Sequence, residues 1–141
     1  MLYLGADHGG YRLKEFLKKH FDKKRIKYAD LGTYSEESVD YPDYAYKVTR
    51  KVAKEKNSKG ILVCGSGIGM CIAANKIRGI RAAVVYDKYS AIMSREHNDA
   101  NVLCLRGRGV NFKKQTKLAD IWLKTKFSNE PRHKRRIAKL K

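Results

Sequence analysis

The sequence predicts an α/β fold, a doubly wound α/β/α sandwich built on a five-stranded parallel sheet. Five short apolar runs alternate with segments of helical periodicity along the 141 residues. The runs are rich in Val, Ile and Leu and lack the polar alternation of a half-exposed strand, which is typical of a parallel sheet covered on both faces. Right-handed crossovers then place helices on both sides, within a single domain spanning residues 1–141.

The first half of the chain predicts two strand–helix units. The first helix carries its apolar residues on one face, so that its lysines, Lys14 among them, are expected on a solvated surface. Pro42 favours a helix start, because its fixed φ suits the first turn. The predicted elements are strand Leu2–Gly5, helix Tyr11–Lys24, strand Ile26–Leu31 and helix Tyr44–Lys56.

The second half predicts three further strands, each followed by a helix. Pro131 separates the long fifth helix from a short, strongly basic one. The predicted strands are Ile61–Cys64, Ala82–Tyr86 and Asn101–Leu105, and the predicted helices are Ile68–Ile77, Tyr89–Glu96, Phe112–Lys126 and Arg132–Leu140.

Composition restricts the classes of function. No segment approaches the roughly 20 apolar residues of a membrane span, and three cysteines without an export signal predict a reducing, cytoplasmic location. The net charge of +18 suggests nucleic acid, yet the lysines are spread evenly and no zinc-finger or RNA-recognition motif is present. We therefore predict neither a membrane nor a nucleic-acid partner. A nucleic-acid-binding module stays an alternative that steep salt dependence would reveal.

The segment Cys64–Met70 joins a reactive side chain to a potential anion cradle. It follows an apolar strand and precedes a helix, so that backbone N–H groups of its glycines can converge on an oxyanion beside the thiol. The rival interpretation is a dinucleotide fingerprint, with Asp87 as its acidic residue. The third fingerprint glycine would then fall on Met70, which crowds the helix–strand contact. Cys71 and Cys104 are predicted to be small core residues.

Other polar residues follow neighbouring strands. Asp7 and His8 come directly after the first strand, and Tyr41 follows the second. Ligands of such sheets bind beyond the carboxyl ends of the strands, which places these residues beside Cys64.

A second group is predicted at the opposite edge of the sheet. His97 precedes the fifth strand, and the basic segment starting at Arg132 follows the next long helix. Neither can reach Cys64 of its own chain, whereas a two-fold dimer would bring the far edge of one subunit to the crevice of the other. The topology therefore predicts a shared site.

Several motifs together resemble the type B ribose-5-phosphate isomerases, a family that also contains the galactose-6-phosphate isomerase subunits. The resemblance implies a Rossmann-like sheet without a nucleotide cofactor or a metal, in a homodimer or tetramer that shares its active sites. The markers are Gly5-Ala6-Asp7-His8-Gly9-Gly10, Asp30-Leu31-Gly32-Thr33, Asp40-Tyr41-Pro42, Cys64-Gly65-Ser66-Gly67-Ile68-Gly69, Ala73-Ala74-Asn75-Lys76, Gly79-Ile80-Arg81-Ala82 and His97-Asn98-Asp99-Ala100-Asn101.

The resemblance implies interconversion of ribose 5-phosphate and ribulose 5-phosphate through an enediol(ate), a step of the pentose phosphate pathway. Cys64 would be the base, His97 would open the furanose ring, and Asp7 would orient the sugar. Ser66 would hydrogen-bond the intermediate, and the amides of Gly65, Ser66, Gly67, Ile68 and Gly69 would stabilise its oxyanion.

The same resemblance assigns the phosphate to a basic group of side chains and the basic helix to a partner. Residues 132–140 would pack on the second subunit. An isomerase of a hexose 6-phosphate, allose or galactose, remains the alternative substrate class. The substrate-binding residues implied are His8, Tyr41, Asn98, Arg108, Arg132, His133 and Arg136.

Overall fold

A computed structural model describes residues 1–140 and confirms the predicted fold class. Five strands form one sheet in the order β2-β1-β3-β5-β4, and every neighbouring pair is parallel. The elements are β1 (Leu2–Ala6), α1 (Tyr11–Lys23), β2 (Tyr28–Asp30), α2 (Tyr41–Lys54), β3 (Lys59–Cys64), α3 (Ile68–Ala74), β4 (Ala82–Val84), α4 (Lys88–Glu96), β5 (Val102–Arg106), α5 (Phe112–Lys124) and α6 (Pro131–Ala138).

Two hydrophobic clusters, one on each face of the sheet, hold these layers together. Successive side chains of β3 alternate between them, so that Ile61 and Val63 face one cluster and Leu62 and Cys64 the other. Apolar residues of α1, α4 and α5 complete the first cluster, and those of α2 and α3 complete the second. This two-sided burial explains why the strands read as continuous apolar runs.

Several predicted boundaries are wrong by a few residues, for local reasons. Helix α2 begins at Tyr41 rather than Tyr44, because Asp40 is its extended N-cap and Pro42 fits the first turn. Helix α3 ends at Ala74 rather than Ile77, since Asn75 turns back to hydrogen-bond the backbone of Ala82. The outer strands β2 and β4 have only three residues each.

Lys14 contradicts the expectation that the lysines of α1 form a solvated face. Its side chain is 1% exposed, and its Nζ lies 2.7 Å from both carboxylate oxygens of Asp30 at the end of β2. Lys18 joins the same carboxylate at 2.8 Å. A buried ammonium is tolerable only when paired, and Asp30 supplies the partner.

We expect Asp30→Ala to lower the free energy of unfolding by about 3 kcal/mol, because it leaves the buried Lys14 without its main counter-ion. Chemical denaturation at neutral pH measures the change. The matched control, Lys24→Met, removes an ion pair whose lysine is 47% exposed and should cost less than about 1 kcal/mol. Equal costs for the two variants would contradict the structural role of the pair.

The same pair predicts how stability depends on pH. Burial opposes ionisation of Asp30, but hydrogen bonds from Lys14 and Lys18 outweigh it and lower the pKa of the carboxyl. Because the folded pKa lies below the unfolded one, the stabilisation is present above the unfolded pKa and is lost as pH falls through the folded pKa. In Asp30→Ala this part of the acid sensitivity should disappear.

The parallel sheet has two chemically different edges: the carboxyl edge, where the strands end, and the amino edge, where they begin. The carboxyl ends of β1, β3 and β5 carry the turns that begin at Asp7, Gly65 and Gly107. The amino ends receive the chain from α4, so that His97 lies near the start of β5. Within residues 1–140, no helix combines the length and the apolar character needed to cross a membrane.

Candidate active site

The turns after β1 and β3 lie against each other. A side chain at Gly10 would collide with the carbonyl group of Val63, and a methyl group at Gly9 would lie 3.0 Å from the amide nitrogen of Gly65. The amide of Asp7 also donates to the Val63 carbonyl at 3.2 Å. Glycine is therefore required at position 10, and the contact brings the Asp7–Gly10 turn beside Cys64.

The Cys64 thiol is buried at the start of the Gly65–Gly69 turn. Its Sγ is the acceptor of a 3.1 Å hydrogen bond from the amide of Gly67. Gly67 has a φ of +79°, a left-handed conformation that a side chain would strain, and a methyl group there would lie 3.0 Å from the backbone of Leu105. The loop therefore directs one N–H at the sulfur.

The loop amides divide into two groups. Gly67 donates to Cys64, and Ile68 donates to the Oγ of Ser66 at 3.1 Å. Gly65 and Ser66 donate to no acceptor among residues 1–140. Gly69, in the first turn of α3, also donates to no acceptor among these residues. The prediction that all five amides from Gly65 to Gly69 face an oxyanion therefore needs correction: the loop itself uses two of them, and those of Gly65, Ser66 and Gly69 are left for a ligand.

Asp7 and His8 are both held by the backbone. Asp7 is 7% exposed and accepts a hydrogen bond from the amide of Gly10 at 3.1 Å. The Nδ1 of His8 accepts from the amide of Val39 at 3.2 Å. In the neutral imidazole this fixes the remaining proton on Nε2, which has no partner among residues 1–140 and is left as a donor.

A cleft of about 820 Å³ opens between the turn after β1 and the turn after β5. Arg108 borders it from β5, and its side chain lies against Gly65, since a methyl group there would be 3.4 Å from Arg108 Cδ. His8 and Arg108 therefore line the cleft, and the Arg108 side chain lies between it and the Cys64–Gly69 loop. A histidine donor and a guanidinium suit a phosphate group.

Tyr41 lies on the other side of the loop. It is the first residue of α2, and a methyl group at Gly69 would lie 2.9 Å from its ring. The ring is 40% exposed, so that one part covers the glycine and the rest faces the opening. Asp7, His8, Tyr41, Cys64 and Arg108 thus lie around one edge of the sheet.

The remaining predicted residues lie elsewhere. His97 caps the end of α4, and its ring stacks on that of His133 with 4.1 Å between centroids. Arg132 is exposed and pairs with Glu130 at 2.8 Å. The carboxyl end of β5 pairs with Cys64, whereas His97 precedes the amino end of this five-residue strand, a span of about 16 Å. A single chain does not bring His97, Asn98, Arg132, His133 and Arg136 to Cys64.

The chain matches the family model described as Ribose/Galactose Isomerase over residues 2–140. The chain belongs to the ribose/galactose isomerase family. Ribose-5-phosphate isomerase B of Escherichia coli is 42% identical over 133 residues, covering 94% of this chain and 89% of the relative. A putative sugar phosphate isomerase of Bacillus subtilis is 44% identical, covering 97% and 92%.

Solved structures of the family superpose closely on the present one. Ribose-5-phosphate isomerase B of Clostridium thermocellum has a TM-score of 0.94 at 46% identity, covering 98% of this chain and 93% of the other. The Mycoplasma genitalium protein, solved with bound ribulose 5-phosphate, has a TM-score of 0.92 at 41% identity, covering 98% and 91%. The match to this family therefore holds for sequence and fold together.

For this member of the ribose/galactose isomerase family, the structure gives the acidic residue of the dinucleotide alternative, Asp87, a different role. Asp87 is the N-cap of α4, and its carboxylate accepts from the amide of Ser90 at 2.7 Å in a capping box. Met70 is fully buried where the fingerprint would need glycine. Among residues 1–140, no group of three or more His, Cys, Asp or Glu side chains could hold a metal ion.

Sequence reasoning missed two residues that line the cleft of this isomerase-family chain. Arg12 lies in the first turn of α1, and Glu36 follows β2; they approach each other at 3.5 Å. The available signal was the position of Arg12, two residues after the Gly9-Gly10 turn. Exposed charged residues give no periodic pattern, so nothing distinguished them from solvated surface.

Cys71 differs from the small core residue that was predicted. It is only half-buried, whereas Cys104 is fully buried. A hydrogen bond from Cys104 is the main cause that lowers the pKa of the Cys71 thiol to about 7, against the effect of burial. In contrast, burial raises the pKa of Cys104 well above its ordinary value. Cys71 is therefore a second thiol that must be controlled for in any assignment of Cys64.

Proposed function

We propose that this chain interconverts ribose 5-phosphate and ribulose 5-phosphate by proton transfer through an enediol(ate). The observation that carries the proposal is the Cys64 thiol, with the Gly67 amide 3.1 Å from its sulfur, beside the Asp7–Gly10 turn. The relatives named ribose-5-phosphate isomerase B and the Mycoplasma genitalium structure with bound ribulose 5-phosphate support this substrate.

The residues divide the isomerisation between them. Cys64 as thiolate removes the proton from C2 of the open-chain aldose and returns it to C1, while the O2 hydroxyl proton moves to O1. The negative charge that develops on oxygen is stabilised by the amides of Gly65, Ser66 and Gly69, which donate to no acceptor among residues 1–140, with the Ser66 hydroxyl close by. No net redox change occurs, so the chain's own residues suffice for the proton transfers.

Ring opening precedes this step, because ribose 5-phosphate is mainly cyclic. The C1–O4 bond breaks, O4 takes up a proton, and the C1 hydroxyl releases one to form the carbonyl. We assign the proton at O4 to His97, since an imidazole can act as a general acid and a general base. Asp7 orients the sugar hydroxyls. The phosphate is bound by His8 and Arg108, which flank the cleft, together with other basic residues.

The other basic residues at the phosphate, Arg132 and Arg136, are proposed to reach the site from a second subunit, together with Asn98. Ile68 and Ile72 are more than half exposed on one face of α3, beside the Cys64–Gly69 loop. Tyr86 and Tyr89 are exposed beyond the carboxyl end of β4, an outer strand of the sheet. An apolar surface of this kind next to a site is typical of a subunit contact. A homodimer is the smallest assembly that supplies both groups of residues to one site. A tetramer would contain two such dimers.

Helix α6 supports the same assembly. His133 is its only buried residue, whereas Arg132 and Arg136 are exposed and accessible to a partner. We also propose a cytoplasmic location, because all three cysteines are free and one of them serves as the base.

We expect His97→Asn to slow the reaction of ribose 5-phosphate by about 100-fold, because the proton at O4 is no longer supplied. The reaction of 4-deoxy-ribose 5-phosphate, which lacks O4 and cannot close a furanose, should change by less than about threefold. Steady-state kinetics of both substrates test the assignment. Equal losses with both would show that His97 does not act in ring opening.

One assay separates the candidate substrates. Initial rates with ribose 5-phosphate, allose 6-phosphate and galactose 6-phosphate should give the highest kcat/KM for the pentose. A higher value for either hexose would establish the hexose 6-phosphate alternative. Tight binding of NAD, or salt-dependent binding of nucleic acid that Cys64→Ala leaves intact, would instead support the other two classes considered above.

A further inference from the structure

His133 does not have the surroundings of a phosphate ligand. Its side chain is 4% exposed, and its Nε2 is buried with no hydrogen-bond partner among residues 1–140. The nearest carboxylate oxygen belongs to Glu130 at 4.0 Å, and Glu130 already binds Arg132 at 2.8 Å. What His133 does contact is an aromatic surface: its ring is nearly parallel to that of His97, at 18° and 4.1 Å between centroids.

His97 depends on that contact. Its amide donates to the carbonyl of Met93 at the C-cap of α4, but neither ring nitrogen forms a hydrogen bond with any residue from 1 to 140. A histidine that transfers a proton is usually oriented by a hydrogen bond to its second nitrogen. In this chain, the contact observed for the His97 ring is instead the stacked ring of His133.

The backbone fixes the two rings relative to each other. The amide of Ser128 donates to the carbonyl of Glu96 at 3.2 Å, and the Nε of Arg95 donates to the carbonyl of Thr125 at 3.1 Å. These bonds hold the segment before α6 against the end of α4. The segment that leads to His133 is thus anchored next to His97, although most other residues of α6 are exposed.

We propose that His133 is a positioning residue that holds the His97 ring in the orientation required to transfer the proton at O4 of the sugar. The proposal rests on the ring-opening role of His97 in the proposed function. It replaces the expectation that His133 binds phosphate. It requires only a flat ring at position 133, and neither nitrogen of His133 takes part.

Electrostatics supports a neutral His133. Burial, then the proximity of His97 and of Arg132, lowers its pKa, whereas Glu130 acts in the opposite direction. Arg136, on the same helix, also disfavours its charge. A neutral His133 ring can stack on both the neutral and the protonated His97, because two positively charged rings never face each other.

The test compares His133→Phe, which keeps a flat ring, with His133→Leu, which keeps only the apolar volume. With ribose 5-phosphate, His133→Leu should lower kcat by at least about tenfold with KM within about twofold, and His133→Phe should stay within about threefold of the wild type. With 4-deoxy-ribose 5-phosphate, both variants should react like the wild type. Lys134→Leu, an exposed change on the same helix, is the matched control and should alter neither substrate's kinetics.

The alternatives give different results. A phosphate ligand would raise KM for both substrates in both variants. A merely structural role would lower the melting temperature of His133→Leu and weaken its reaction with both substrates, because a displaced α6 also misplaces Arg132 and Arg136. Either pattern, or wild-type kinetics of His133→Leu, would overturn the proposal.

A spectroscopic measurement separates this proposal from the proposed function. In the wild type and in His133→Phe, the Hε1 resonance of His97, assigned by its absence in His97→Asn, should show an upfield ring-current shift that His133→Leu lacks. This holds whether or not the chain isomerises ribose 5-phosphate. An inactive wild type with an intact shift would refute the function but not the stack, whereas an unshifted wild-type resonance would refute the stack itself.

Discussion

Cys64→Ala is expected to reduce the turnover of ribose 5-phosphate by at least about 100-fold while leaving sugar-phosphate binding intact. The substitution removes the sulfur that accepts the Gly67 amide, but it leaves the Asp7–Gly10 turn and the Arg108 cleft in place. Steady-state kinetics measure turnover, and calorimetric titration with ribulose 5-phosphate measures binding.

The matched control for Cys64→Ala is Cys71→Ala. Cys71 has a thiol pKa of about 7, lowered chiefly by its hydrogen bond from Cys104, and is more exposed than Cys64. It is therefore the other sulfur that thiol reagents would modify near neutral pH. Cys71→Ala should keep most of the activity. Retention of more than about a tenth of wild-type turnover by Cys64→Ala would exclude the base role, and loss of binding together with turnover would indicate a structural cysteine.

The second large effect is a restoration of activity. When inactive Cys64→Ala protein is mixed with inactive His97→Asn protein under conditions that exchange subunits, we expect about a quarter of the wild-type activity to return. Half of the dimers are then mixed, and one of the two sites in each mixed dimer combines the cysteine of one variant with the histidine of the other. This outcome follows from the placement of Cys64 and His97 at opposite edges of one sheet.

A control mixture shows whether the restored activity requires a site that combines Cys64 and His97 from two subunits, rather than mixing as such. The double variant Cys64→Ala/His97→Asn, exchanged with Cys64→Ala, offers no site with a cysteine and should stay inactive. Mass spectrometry of isotopically labelled subunits verifies the exchange. If exchange is complete and the first mixture stays at background, the two residues act within one chain, and the shared-site proposal is wrong.

The sequence sufficed to predict the order of the elements and the residues at the carboxyl edge. Parallel strands end at the same edge, so that Asp7 and Cys64 had to meet once both runs were recognised as strands. The burial of Lys14 was not predictable, because its partner Asp30 lies on a strand and no local pattern connects the two. His133 was expected to bind the substrate's phosphate, since its stack on His97 depends on how α6 returns to α4 and no local pattern predicts that return.

Gly10 has a consequence for how the site forms during folding. Position 10 accepts only glycine, because it lies against the carbonyl of Val63. Along the chain, α1, β2 and α2 separate the two residues. The turn after β1 can therefore reach its final shape only when β3 has joined the sheet, a non-local event. We expect the hydrogen-bonded amides of the two turns, those of Gly10 and Gly67, to be protected from hydrogen exchange together, at the level of sheet opening. A nascent chain that has not yet added β3 carries neither half of the substrate cradle.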